Sequence, residues 1–220
     1  MKDLRKHIAT AATLAMTVAL PYGAAQADGI DTQQQVSEAA KVAQKMKQDP
    51  EVAALIQQAK GIFIVPDYGR AALIVGGEGG EGVALARSGN EWNGPAFYNV
   101  GGITAGLQAG ASAGSIAMLL MSDRAVDMFE QDNNFSLDAD AGLTIVNYSA
   151  RAQASTGKGD VVLWSDAEGA FAGASIGISD ISRDDDEIRD VYKEEVSVPE
   201  IFSGEAEVEQ ATTLKQELSI

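Results

Sequence analysis

The chain has 220 residues, with 32 Asp and Glu against 16 Lys and Arg, a single histidine and no cysteine, giving a formal charge of −16. That balance argues against a nucleic-acid partner, whose phosphates need clustered Lys and Arg, and against adhesion to anionic membranes by global charge. Without Cys, and with its one histidine at His7 in a segment expected to be removed, the chain cannot assemble a Ser-His-Asp triad, a Cys nucleophile or the usual zinc site. Carboxylate-only hydrolysis stays open on composition, but no pair of acids is placed by a recognisable motif. No cofactor or metal is implied.

Residues 1–27 read as a secretory signal. Lys2, Arg5 and Lys6 form a basic start, 8–20 is an apolar run, and Ala25-Gln26-Ala27 offers a small-x-small cleavage site. The run is too short for a membrane helix, and Pro21 and Gly23 follow at once. No cysteine stands at the junction for a lipid anchor, so the expected location is periplasmic or secreted. About 190 residues then remain, one domain's worth of core, held by packing without disulfides.

Residues 28–60 read as helical. Val36, Ala39, Ala40, Ala43 and Met46 recur at helical spacing, with Lys41, Lys45 and Lys47 around the polar side. Asp49-Pro50-Glu51 restarts the chain as N-cap, N1 and first turn, and Val52, Leu55, Ile56 and Ala59 form the second buried stripe. Lysines on such a helix touch lipid headgroups in some proteins, although a solvated face is the commoner use.

From Gly61 the period changes. Short strands are expected at 62–65 (stopped by Pro66), 70–75 and 83–87, the last two joined by a glycine-rich turn at 76–82. That turn lacks the Lys-Ser/Thr ending of a phosphate loop, and Glu78 and Glu81 would repel phosphate. Residues 92–98 lead into 101–114, where apolar Ile103, Ala105, Leu107, Ala109, Ala111 and Ala113 alternate with small or polar residues. Alternation describes a half-buried strand. Gly102, Gly106, Gly110 and Gly114 also keep the four-residue spacing of packed membrane helices. Thr104, Gln108, Ser112 and the glycines leave too few large apolar side chains for a span, so one long strand is expected. A strand at 116–121, a helix at 124–131 capped by Ser122-Asp123, and strands at 138–148, 161–164 and 171–179 follow. Asp184-Asp185-Asp186-Glu187 reads as a solvated helix start rather than a calcium loop, whose spacing it lacks. Weak helical periodicity at 205–218 suggests a peripheral or frayed tail.

Taken in order, these pieces resemble a known family, the SYLF domain of yeast and animal actin-patch proteins, here in what looks like an exported bacterial member. The resemblance covers roughly residues 49–192. It rests on Ala59-Lys60-Gly61-Ile62-Phe63-Ile64-Val65-Pro66, on the glycine-rich stretch at 73–83 with Trp92 and Pro95, and on Gly106-Leu107-Gln108-Ala109-Gly110. Met121-Ser122-Asp123-Arg124-Ala125 with Phe129, then Ala170-Phe171-Ala172-Gly173, complete the order. The resemblance implies an α+β fold: a single domain with a strongly curved, glycine-rich antiparallel sheet, barrel-like, packed with N-terminal and peripheral helices. It also implies lipid binding rather than catalysis, with a basic N-terminal segment that here carries Lys41, Lys45, Lys47 and Lys60, and with Arg70 nearby on a strand. Acidic Glu78 and Glu81, and Ser165-Asp166-Ala167-Glu168, depart from family positions that are often basic or neutral, and point away from phosphoinositide specificity.

The expected organisation is a signal at 1–27, a domain at 28–198 and a helical tail at 199–220. The expected function is non-enzymatic contact with membrane phospholipid or another amphiphile at the cell envelope, with apolar residues of the first helix inserted and lysines at headgroup level. The alternative is a structural or protein-interaction module of the envelope without lipid affinity. Actin is not an expected partner of an exported chain.

Overall fold

A computed structural model describes residues 32–72, 75–105, 110–131, 133–136, 144–148, 159–166 and 180–219. The expected signal at 1–27, the strand at 171–179 and most of the one at 138–148 lie outside them. In chain order the elements are α1 (Thr32–Met46), α2 (Pro50–Gln58), β1 (Gly61–Ala72), β2 (Val75–Ser88), β3 (Glu91–Ala105), β4 (Gly110–Leu120) and α3 (Asp123–Gln131). Then come β5 (Asn134–Phe135), β6 (Ile145–Asn147), β7 (Val161–Ser165), β8 (Asp180–Arg183), α4 (Asp185–Tyr192), α5 (Val198–Ser203), a 3₁₀ turn (Glu209–Ala211) and α6 (Thr212–Leu218). The strands form one sheet in the order β5-β8-β3-β2-β1-β4-β7-β6, antiparallel except for the β6–β7 pair. The α+β class is as expected. Closure is not: among the described residues the sheet ends at β5 and β6 and forms no barrel.

β1 organises the sheet. Ile62, Phe63, Ile64 and Val65 are fully buried, as suits a continuous apolar run in a strand paired on both edges. Pro66 does not end the strand. The register shifts beside it, between Ile64 and Gly69 against β2 and between Val65 and Tyr68 against β4. Such an irregularity is where a residue without an N–H fits inside a sheet. The expected turn at 76–82 is likewise strand, paired with β3 from Val75 to Ser88. Its glycines answer a need for close approach. A Cβ on Gly82 would lie 2.5 Å from the Phe63 ring, and one on Gly80 would lie 2.6 Å from the Asp67 carbonyl oxygen.

The expected single strand at 101–114 is divided. Its first residues end β3 at Ala105, and its last begin β4 at Gly110 on the far side of the β1–β2 hairpin. Each half carries the alternation in its sequence, but periodicity holds no sign of a change of strand. Residues 106–109 lie outside the described residues.

The helices follow their caps. Asp49 accepts from the Glu51 N–H at 2.9 Å and Pro50 opens α2. Ser122 Oγ accepts from the Ala125 N–H at 3.3 Å, and α3 buries Ala125 and Phe129. Phe129 stacks with Phe63, Tyr98 and Phe135 at ring-centroid distances of 5.3, 5.1 and 4.9 Å. The C-terminal segment is no frayed tail. Leu214 and Leu218 of α6 are fully buried, α6 packs on α1 and β3, and Trp92 Nε1 donates to the Leu218 carbonyl at 3.1 Å. Asn93, also buried, donates to the Phe202 carbonyl of α5 at 3.0 Å.

Candidate functional site

The apolar stripe of α1 was expected to meet lipid, but it is already in use. Ala39, Ala43 and Met46 are fully buried, and the helix packs on β1, β2 and α6. Insertion of that stripe into a bilayer is therefore incompatible with the docked helix, and only its outer, lysine-bearing face is presented.

On that face Lys41 and Lys45 stand at i and i+4, with side chains 65% and 57% exposed. Lys41 Nζ pairs with Glu38 one turn back at 2.6 Å. Lys45 Nζ reaches Asp166, just after β7, at 2.8 Å, and Asp166 also accepts from the Ser115 N–H of β4. Lys47, only 25% exposed, pairs with Glu217 of α6 at 2.6 Å. Lys60 pairs with Asp123 at the start of α3 at 2.6 Å. Arg70 lies on β1 in register with Glu78 of β2 and Ser112 of β4. Lys41 and Lys45 thus share a face, while Lys47, Lys60 and Arg70 are distributed over other elements. Exposed pairs of this kind contribute about 0–1 kcal/mol each, so a competing anion meets little resistance.

A cleft of about 650 Å³ opens between the first half of α1 and the middle strands. Gln35 and Glu38 of α1, Pro66 and Asp67 of β1, Glu81 of β2 and Val100 of β3 line it. A smaller cavity of about 120 Å³ shares Gln35, Glu81 and Asn99. Sequence reading passed over this site. The available signal was Gln35, a polar residue on the buried side of α1 beside Val36.

Strongly shifted groups elsewhere serve packing. Burial pushes the Tyr98 hydroxyl far above its usual range, and it donates to the Phe129 carbonyl at 2.6 Å. Burial, and then its hydrogen bond to Asp49 at 2.7 Å, pushes Tyr148 up to about 12. The acidic run at 184–187 is consumed locally. Asp184 caps α4 through the Glu187 N–H and accepts from Asn99, Asp185 pairs with Arg183, and Asp186 pairs with Arg189. Among the described residues no group of His, Cys, Asp and Glu could hold a metal ion.

Fold and surface together define an α+β domain that presents a lysine-bearing helix face and an acidic cleft. The family model for Ysc84, described as Las17-binding protein actin regulator, matches residues 101–219, more than half of the chain. The chain belongs to this family, whose domain is the SYLF domain. Among its relatives, the SH3 domain-containing YSC84-like protein 1 of Bos taurus is 26% identical over 162 residues, covering 70% of this chain and 46% of the relative. Protein YSC84 of Saccharomyces cerevisiae is 28% identical over 163 residues, covering 71% of this chain and 35% of the relative. The chain thus spans less than half the length of these curated relatives. Their names are those of regulatory and SH3-containing proteins and name no catalysed reaction.

Proposed function

We propose that this protein is a non-enzymatic SYLF-type module of the cell envelope that contacts anionic phospholipid peripherally. The observation that carries the reading is the outer face of α1, where Lys41 and Lys45 stand exposed in weak surface pairs. Because the apolar face of α1 is occupied by the core, contact is electrostatic and at headgroup depth. A net charge of −16 opposes it at long range, so binding needs the local lysines to face the membrane. On this reading the signal expected at 1–27 carries the domain to the periplasm or outside the cell. There the protein named in the family's description, Las17, and actin do not come into play as partners.

Liposome co-sedimentation of residues 28–220 tests this. Binding is expected to anionic vesicles at low salt, to weaken as salt shortens the screening length to ~8 Å at 0.15 M, and to be absent with neutral vesicles. Lys41→Glu is the cleanest variant, since its ion-pair partner among the described residues, Glu38, lies on the same helix. Equal binding by that variant overturns the site. Failure to bind any vesicle leaves the protein-interaction module as the function.

A further inference from the structure

We propose that the cleft bounded by the end of β2, α3 and α5 binds a short peptide by its two charged ends, the carboxylate at Arg87 and the ammonium at the acids of α3. Arg87 is the first ground. Its guanidinium is fixed by carbonyls in the last turn of α2, with Nη1 donating to Gln57 at 2.9 Å and Nη2 to Ile56 at 3.2 Å. It also lies 4.5 Å from the centre of the Trp92 ring. Its Nε is buried with no hydrogen-bond partner, and Arg87 makes no ion pair among the described residues. In a chain of 32 acids against 16 bases, a fixed arginine without a carboxylate is out of balance. Burial lowers its pKa, and a buried charged donor left unpaired is costly. A ligand carboxylate that accepts from the remaining Nη–H groups supplies the missing counter-charge.

The second ground is the opposite charge on the α3 wall. Asp127 and Glu130, at i and i+3 on α3, line the same cleft and pair with no cation among the described residues. Burial, and then the charge of Asp127, raises the Glu130 pKa, so a cation placed there relieves both groups. Lys60 and Asp123, which also line the cleft, neutralise each other at 2.6 Å. A simple anion at Arg87 would be opposed by α3, and a simple cation at α3 would be opposed by Arg87. A ligand that carries both charges, set apart, meets each wall with its opposite. Val126, Pro199 and Phe202 add apolar lining for its side chains. A volume of about 640 Å³ is in the range of small-molecule sites.

Calorimetric titration of the protein with leucyl-leucine, beside its N-acetylated and C-amidated forms, tests the proposal without vesicles, so failure of the lipid reading does not affect it. Saturable binding is expected for the free dipeptide, with each capped form at least about tenfold weaker. Arg87→Lys, which keeps the charge but loses the fork, should weaken binding roughly tenfold. Asp127→Asn should do the same at an exposed position where folding is not at stake. In ¹⁵N spectra of the unmutated protein the Trp92 indole N–H should shift with the dipeptide while that of Trp164, which does not line the cleft, stays in place. Equal binding of the capped forms, an unmoved Trp92 signal, or no saturation by about 1 mM dipeptide would each overturn the assignment. So would tighter binding of glycerophosphoethanolamine, a lipid headgroup with the same pair of charges.

Discussion

Replacing Gly82 by alanine separates the two accounts of the glycine-rich segment. As a turn residue it would tolerate a methyl, and the stiffer unfolded chain would favour the fold by about 0.4–1 kcal/mol. As a β2 residue it cannot. The new Cβ would lie 2.5 and 2.7 Å from two atoms of the Phe63 ring and 2.8 Å from the Ile64 carbonyl oxygen. Carbon contacts are comfortable near 3.5–4.0 Å, so the overlap is about 1 Å. Phe63 is fully buried and stacked against Tyr98 and Phe129, and the Ile64 oxygen belongs to a strand paired on both edges, so neither yields cheaply. Overpacking of this kind costs about 1–3 kcal/mol, which for a domain of this size lowers Tm by roughly 2–10 °C. Gly101→Ala is the internal control, because nothing lies within 4 Å of its Cβ. Circular-dichroism melts of the two variants beside the parent decide the matter. A Gly82→Ala protein that melts at or above the parent would refute the strand packing described for β2.

Acid should destabilise the protein through specific carboxylates. Asp49 is held below its ordinary range by the Tyr148 hydroxyl and the Glu51 N–H, Asp160 by the Thr144 N–H, and Glu200 by Ser197. A group with a depressed folded pKa contributes stability above its unfolded value and loses it as pH falls through the folded one. Glu130, raised by burial, acts in the opposite sense. Tm is expected to drop as pH falls through and below the ordinary carboxylate range, and less so in Asp49→Asn; an identical drop in that variant would remove Asp49 from the account. Leu218→Ala should cost about 2–5 kcal/mol and shift Trp92 emission to the red, whereas an unchanged melt would return the segment to the status of a tail. Asp184→Ala should cost about 0.5–2 kcal/mol by removing the α4 cap, and added calcium should leave the parent's melt where it is.

Local chemistry made some elements legible and left others obscure. Asp49-Pro50 and Ser122 announce helix starts because their side chains and fixed φ satisfy groups within a few residues, and the apolar stripes of α1 and α2 repeat at a period that only helices bury. Strand boundaries inside glycine-rich sequence have no such local cause. Gly80 and Gly82 are glycine because of Asp67 and Phe63 on the neighbouring strand, and a single chain read in order shows the vacancy of the side chain without its neighbour. The division of 101–114 is hidden for the same reason, since alternation is conserved across a change of strand.

The candidate site divides along this line too. Lysines at helical spacing are visible in the sequence, but their meaning turns on what the other face of α1 does, and that depends on β1, β2 and α6. Once the apolar stripe is core, the lysine face has only charge to offer, in a chain whose overall charge is of the opposite sign. An exposed lysine in such a chain is free to act only where its carboxylate partner is dispensable. Lys41 meets that condition because Glu38 lies on its own helix, and Lys45 meets it because the Ser115 N–H ties Asp166 to β4 directly, whereas Lys47 ties α1 to α6. Charge reversal at Lys41 should therefore alter vesicle binding with little change in Tm, while reversal at Lys47 should lower Tm with little change in vesicle binding. If both properties moved together at both positions, the division of the lysines into presented and structural ones would be wrong.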